Sequence, residues 1–154
     1  MQDLKSDKVE SPASLTGLPS YLMMRITHAY KQSLHEKLKP IGLNMISTRI
    51  VVSLKMFQEM TVSELCVHAI AEQPTMSRAL DKLEGDGIVE RRVSEEDHRA
   101  RAVRLTEKGA GYVEKILPGM LGLNEKLMQD VPEADRVVFM RTLLKVLENA
   151  DGRD

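Results

Sequence analysis

Residues 72–84 read Glu72-Gln73-Pro74-Thr75-Met76-Ser77-Arg78-Ala79-Leu80-Asp81-Lys82-Leu83-Glu84, and the fold turns on how this stretch is read. Met76, Leu80 and Leu83 recur at steps of four and three, which places them on one stripe of a helix. Pro74 falls in the first turn, where a missing N–H costs nothing. Gly85-Asp86-Gly87 ends the helix. Its opposite face is polar, with Gln73, Thr75, Ser77 and Arg78 in the early turns. Upstream, Thr61-Val62-Ser63-Glu64 fits a capping box, in which Thr61 and Glu64 each satisfy a backbone N–H of a first turn. The short helix it opens directs Val62, Leu65, Cys66 and Ala69 inward. Two short helices joined by a tight turn, the second with a polar outer face, form a helix-turn-helix.

The flanking segments differ in kind. Ile88 to Val93 has β-rich composition, and Arg101 to Leu105 alternates Val103 and Leu105 with Arg101 and Arg104. The polar tip between them, Ser94 to Arg99, lacks Asn-Gly chemistry, so this hairpin has a loop longer than two residues. It reads as a small β wing. On the N-terminal side, Leu22, Ile26, Tyr30, Leu34 and Leu38 recur every four residues, predicting a helix from Pro19 to Lys39 that Pro40 and Gly42 stop. Asn44 is the N-cap of the next, which carries Ile46, Ile50, Leu54 and Phe57. After the wing, Thr106 caps a long helix bearing Val113, Ile116, Leu117, Met120, Leu123 and Leu127, with a kink expected at Pro118. Pro132 opens a last helix whose Val137, Met140, Leu144 and Leu147 form a narrow seam suited to a partner helix. Residues 1–16 lack periodicity and read as a loose, flexible N-terminal arm. The expected order is four helices, a hairpin and two helices.

Composition bounds the class. A chain of 154 residues fits one domain and buries about two-thirds of its unfolded surface. Ten Met and no Trp give an adaptable core. No apolar run approaches the roughly 20 residues that cross a bilayer, and Met1 to Ala13 holds no signal-peptide apolar region. One cysteine excludes an intrachain disulfide, and together these predict a cytoplasmic location. Net charge is −1, and residues 73–108 hold eight Lys/Arg against eight Asp/Glu. A nucleic-acid binder of this balance has to place its cations by geometry.

The stretch Glu72 to Glu84 resembles MarR-family regulators. So does Asp97-His98-Arg99-Ala100-Arg101-Ala102-Val103-Arg104-Leu105-Thr106-Glu107-Lys108-Gly109, and the resemblance extends over roughly residues 18–149. It implies a mainly α winged helix-turn-helix fold with a small β wing, residues 17–150 forming one domain. Dimerisation helices would span about 18–39 and 106–149, and a DNA-binding lobe about 44–105. The implied function is a sequence-specific transcription regulator: a homodimeric repressor on double-stranded, pseudo-palindromic operator DNA, released by a small aromatic or anionic ligand. Its second short helix would enter the major groove and its wing the adjacent minor groove.

On that reading Pro74 permits close approach to DNA, Thr75 and Ser77 offer hydroxyls to phosphate or base edge, Gln73 suits adenine, and Arg78 suits a guanine edge or phosphate. By resemblance, Asp97 orients the wing-tip arginines and Arg99 inserts, with Arg101 beside it. The bland alternative is a solvated helix with Arg78 paired to Asp81 or Lys82 to Asp86, and a charged hairpin edge. Glu95 and Glu96 lie beside the tip. His28, Lys31 and Arg49 are candidate cationic anchors for an effector, with Tyr21 as an apolar wall; surface charge is the alternative.

Two further readings stay open: a winged-helix protein-interaction module without DNA binding, and a redox-responsive regulator using Cys66. The sequence has no phosphate-binding glycine loop, nucleophile elbow or paired-His zinc motif. Neither an enzyme, a cofactor nor a metal site is expected.

Overall fold

Turn chemistry between residues 38 and 45 separates the first two helices. The computed structural model describes residues 14–93 and 101–152. Helix α1 runs Pro19–Leu38 and passes into a 3₁₀ turn, Lys39–Ile41, closed by Gly42 at φ 77°. A Cβ would be strained in that left-handed backbone. Asn44 then caps α2, Met45–Phe57, its Oδ1 accepting from Ser47 N–H at 2.8 Å. The hydroxyl of buried Thr48 donates to the Asn44 carbonyl at 2.9 Å, so the cap leaves no orphan behind it.

Helices α3, Val62–His68, and α4, Gln73–Gly85, pack on α2. Ile50, Val51 and Leu54 of α2 meet Leu65 of α3 and Met76, Leu80 and Leu83 of α4 in the core, each essentially inaccessible. Fully burying side chains of this size contributes about 1.5–3 kcal/mol apiece. Three strands complete the lobe: β1, Glu59–Thr61; β2, Val89–Val93; and β3, Arg101–Leu105. They form one antiparallel sheet in the order β1-β3-β2, with Met60 opposite Val103 and Val103 opposite Arg91.

This corrects the expected two-stranded hairpin. Strand β1 is too short for alternation to announce it, and Thr61 serves twice, as its last residue and as the N-cap of α3. The expected β3 bounds agree with the structure, and β2 begins one residue later than expected.

Helix α5, Glu107–Leu127, continues through Pro118, and α6 spans Glu133–Ala150 with Pro132 at its N-cap. Chain contacts define two compact units, one ending at Met120 and the other starting at Leu121. Within the second, Arg136 donates to the carbonyls of Val131 at 2.9 Å and Met128 at 2.7 Å, tying the start of α6 to the turn that follows α5.

The start of α5 is fastened to the end of α4. Thr106 Oγ1 donates to the Gly87 carbonyl at 2.7 Å, Thr106 N–H to the Ile88 carbonyl at 3.1 Å, and Lys108 Nζ to the Asp86 carbonyl at 2.6 Å. Gly109 makes this approach possible, because a Cβ there would overlap the Ile88 carbonyl oxygen. Gly111, two residues on, faces open space. Gly109→Ala should therefore destabilise the protein by about 1–3 kcal/mol through overpacking. Gly111→Ala should stabilise it by about 0.5–1 kcal/mol through helix propensity. Urea unfolding of both variants checks the opposite signs, and equal effects would contradict the close approach.

Candidate nucleic-acid interface

Burial of Met76, Leu80 and Leu83 commits the other face of α4 to solvent. Gln73, Pro74, Thr75, Ser77 and Arg78 are all exposed, so the structure brings these five expected site residues together on the first two turns of one helix. The helix begins at Gln73, which makes Pro74 its second residue, and the N-cap Glu72 makes no side-chain hydrogen bond. The first-turn amides are thus open to an external acceptor such as a phosphate.

Helix α3 holds α4 in place and is itself tied at both ends. At its start, Thr61 N–H donates to Glu64 Oε2 at 2.7 Å while Glu64 N–H donates to Thr61 Oγ1 at 3.3 Å, the capping box read from the sequence. At its end, Arg49 Nη1 donates to the Ala69 carbonyl at 3.1 Å. The turn into α4 passes through Ile70 at φ 53°. A left-handed β-branched residue costs about 1–2 kcal/mol, and the side chain is 74% exposed, so no burial of Ile70 itself offsets the cost.

Three arginines of the sheet, Arg91, Arg92 and Arg104, have partners. Arg91 Nη2 lies 2.7 Å from Asp81 Oδ1 and Nη1 lies 2.9 Å from Glu84 Oε2, linking β2 to α4. Arg92 Nη2 meets Glu59 Oε2 at 2.5 Å, and Arg104 pairs with Glu90 across the ladder. The alternative pairings on α4 do not form: among the described residues neither Arg78 nor Lys82 has a hydrogen bond or ion pair. Sequence reasoning missed Glu59, Glu84 and Glu90 as neutralising groups. The only local sign was Asp81 and Glu84 at i,i+3 on the exposed face of α4; the others depend on sheet register.

Arg101 occupies the first position of β3, opposite Val93. Asp97 and Arg99 lie outside the described residues. The four effector candidates are not gathered in one place. His28 and Lys31 line an open concavity with Gln32, Ser33, His35 and Glu36, all on α1, and neither Tyr21 nor Arg49 borders it. Arg49 hydrogen-bonds the Ala69 carbonyl at the end of α3. Cys66 is half-buried rather than inward-facing and borders a shallow concavity with Val67, Ile70, Ala71 and Glu72. His68, two residues on, packs its ring on Phe57 with centroids 4.7 Å apart.

Among the described residues, no helix is long and apolar enough to cross a membrane. Residues 43–100 match the MarR family. The HTH-type transcriptional repressor IacR of Pseudomonas putida is 29% identical over 86% of this chain and 80% of its own length. The uncharacterized HTH-type transcriptional regulator YwoH of Bacillus subtilis is 31% identical over 78% of this chain and 92% of its own. Among solved structures, a MarR family transcriptional regulator from Silicibacter pomeroyi superposes with a TM-score of 0.85 at 30% identity, covering 94% of this chain and 97% of that one.

The capping box gives a pH test of how α3 is held. The Thr61 backbone N–H, and then its hydroxyl, favour the ionised Glu64 carboxylate and hold its pKa below the ordinary glutamate range. The unfolded chain has the higher pKa. The stabilisation is therefore complete above the ordinary glutamate value and is lost as pH falls through the lowered folded one. Glu64→Gln should be less stable than the parent at neutral pH, and the gap should narrow on acidification. Thermal unfolding at pH 7 and below pH 4 reads this, and a gap that widened in acid would contradict it.

Proposed function

The chain belongs to the MarR family, and from that membership we propose that it is a sequence-specific, DNA-binding transcription regulator whose α4 reads the major groove. The observation that carries the reading is the pairing pattern of the cations. The sheet arginines Arg91, Arg92 and Arg104 are neutralised within the lobe, while Arg78, on the exposed early turns of α4, has no ion pair or hydrogen bond among the described residues and offers its charge and donors to a partner. Beside it Gln73, Thr75 and Ser77 offer hydrogen-bonding groups, and Pro74 keeps the helix start slim. The wing-tip residues Asp97 and Arg99, with Arg101, complete the interface in the minor groove. The output is repression, by kinship with the repressor IacR.

The active species is a homodimer that engages two half-sites. Helix α6 exposes Val137, Met140, Leu144 and Leu147, the seam read from the sequence, together with Val138 and Phe139. Helix α1 separately exposes Leu22, Met24 and Ile26. Apolar faces of this extent mark association surfaces. Release is by a small aromatic acid that favours a half-site spacing unfit for the operator, with His28 and Lys31 as its cationic anchors.

Titration of the protein's own upstream intergenic DNA across a salt series tests this. The parent should bind with a steep inverse salt slope. Arg78→Ala should cost about 1–3 kcal/mol and relax discrimination at one base position. Leu144→Asp should produce a monomer by light scattering and lose operator binding with it. Millimolar salicylate, added to the same titration, should weaken binding by about 1–3 kcal/mol. Salt-independent binding, or none, would refute the reading; a monomeric parent that still bound would refute its dimer component.

A further inference from the structure

Asp81 has two arginines within its reach, and the structure selects one. Arg78 lies one turn earlier on α4, at the i,i+3 spacing where opposite charges meet on a helix surface. Arg91 comes from β2. Asp81 Oδ1 accepts from Arg91 Nη2 at 2.7 Å, and no pair with Arg78 forms.

The reason lies in how Arg91 is held. Glu84 Oε1 accepts from the Arg91 backbone N–H at 3.2 Å, and Glu84 Oε2 accepts from Nη1 at 2.9 Å. With the backbone and one arm of the guanidinium fixed, the other arm is presented to Asp81 at little further cost in side-chain freedom. The Arg91 side chain is 23% exposed, whereas that of Asp81 is 64% exposed. An unclaimed Asp81 carboxylate would thus stand on the outer face of α4, free to pair with Arg78 and to repel phosphate.

We propose that Arg91 is a positioning residue for DNA binding: it claims Asp81 and so keeps that carboxylate from pairing with Arg78 on the recognition helix, without touching DNA itself. This rests on the reading of α4 as the DNA-contacting helix. It also gives the near-neutral charge of the lobe a function, because the acidic residues of α4 are drawn to the sheet instead of quenching the helix.

The test uses the full chain and a duplex that the wild-type protein selects from a randomised pool. Arg91→Gln removes the charge. It should lower affinity about tenfold per half-site near 0.1 M salt and reduce the salt slope by about 0.9 for each half-site. Asp81→Asn should bind at least as tightly as wild type. The double variant Arg91→Gln/Asp81→Asn should regain wild-type affinity and slope, a rescue that a merely structural or directly DNA-contacting Arg91 would not show. In an Arg78→Ala background, Arg91→Gln should no longer change the slope.

Circular dichroism establishes that each variant is folded. Should Arg91→Gln not fold, Arg91→Lys takes its place, with a smaller loss and the same rescue expected. Failure of the rescue, a loss in Asp81→Asn equal to that in Arg91→Gln, or no loss in the Arg91 variant would overturn the proposal while leaving DNA binding intact. A wild-type protein that selects no duplex would overturn the DNA reading and this proposal with it.

Discussion

Burial of the Met76–Leu80–Leu83 stripe of α4 is the constraint on which the rest depends. These side chains have essentially no exposed surface, and their spacing admits one helix orientation only. Once they are fixed against α2 and α3, the early polar residues of α4 must face outward. About 1.5–3 kcal/mol for each buried side chain exceeds the local cost at Ile70 of about 1–2 kcal/mol, which is why a tight turn with a poorly suited residue persists. Packing decides the turn, and the turn does not decide the packing.

The lobe solves a charge problem by the same logic. Equal numbers of acidic and basic residues between 73 and 108 look ill-suited to a polyanionic partner. The structure separates them by role. Asp81, Glu84 and Glu90 of this stretch, with Glu59 from β1, pair with Arg91, Arg92 and Arg104, so part of the acidic complement is engaged within the lobe. Exposed pairs of this kind add little stability, about 0–1 kcal/mol each. Their larger consequence, on the role proposed for Arg91, is to keep Asp81 from pairing with Arg78.

Legibility in the sequence follows the range of the interaction. Caps and periodicity are local, so Asn44, the Thr61–Glu64 box, the start of α1 and the bounds of β3 could be read directly, with the end of α1 one residue earlier than expected. The outward set Gln73, Pro74, Thr75, Ser77 and Arg78 followed from the buried stripe opposite it. Contacts that depend on register could not be read. Strand β1 has too few residues to alternate, and the Glu59–Arg92 pair exists only because β1 and β2 flank β3. Arg49 hydrogen-bonds a carbonyl twenty residues away at the end of α3, and nothing in the spacing of residues 49 and 69 announces that contact. For Asp97 and Arg99, outside the described residues, the wing-tip role rests on the family pattern.

The central claim is that the exposed early turns of α4 are the surface that meets DNA. Backbone amide chemical-shift mapping on addition of the cognate duplex measures it most directly. The expected result is large, salt-sensitive shifts at Gln73, Thr75, Ser77 and Arg78, with residues Val67 and Ile70 on the neighbouring apolar surface little changed. Shifts confined to Val67 and Ile70, with α4 unmoved, would contradict the account and turn the lobe toward protein recognition.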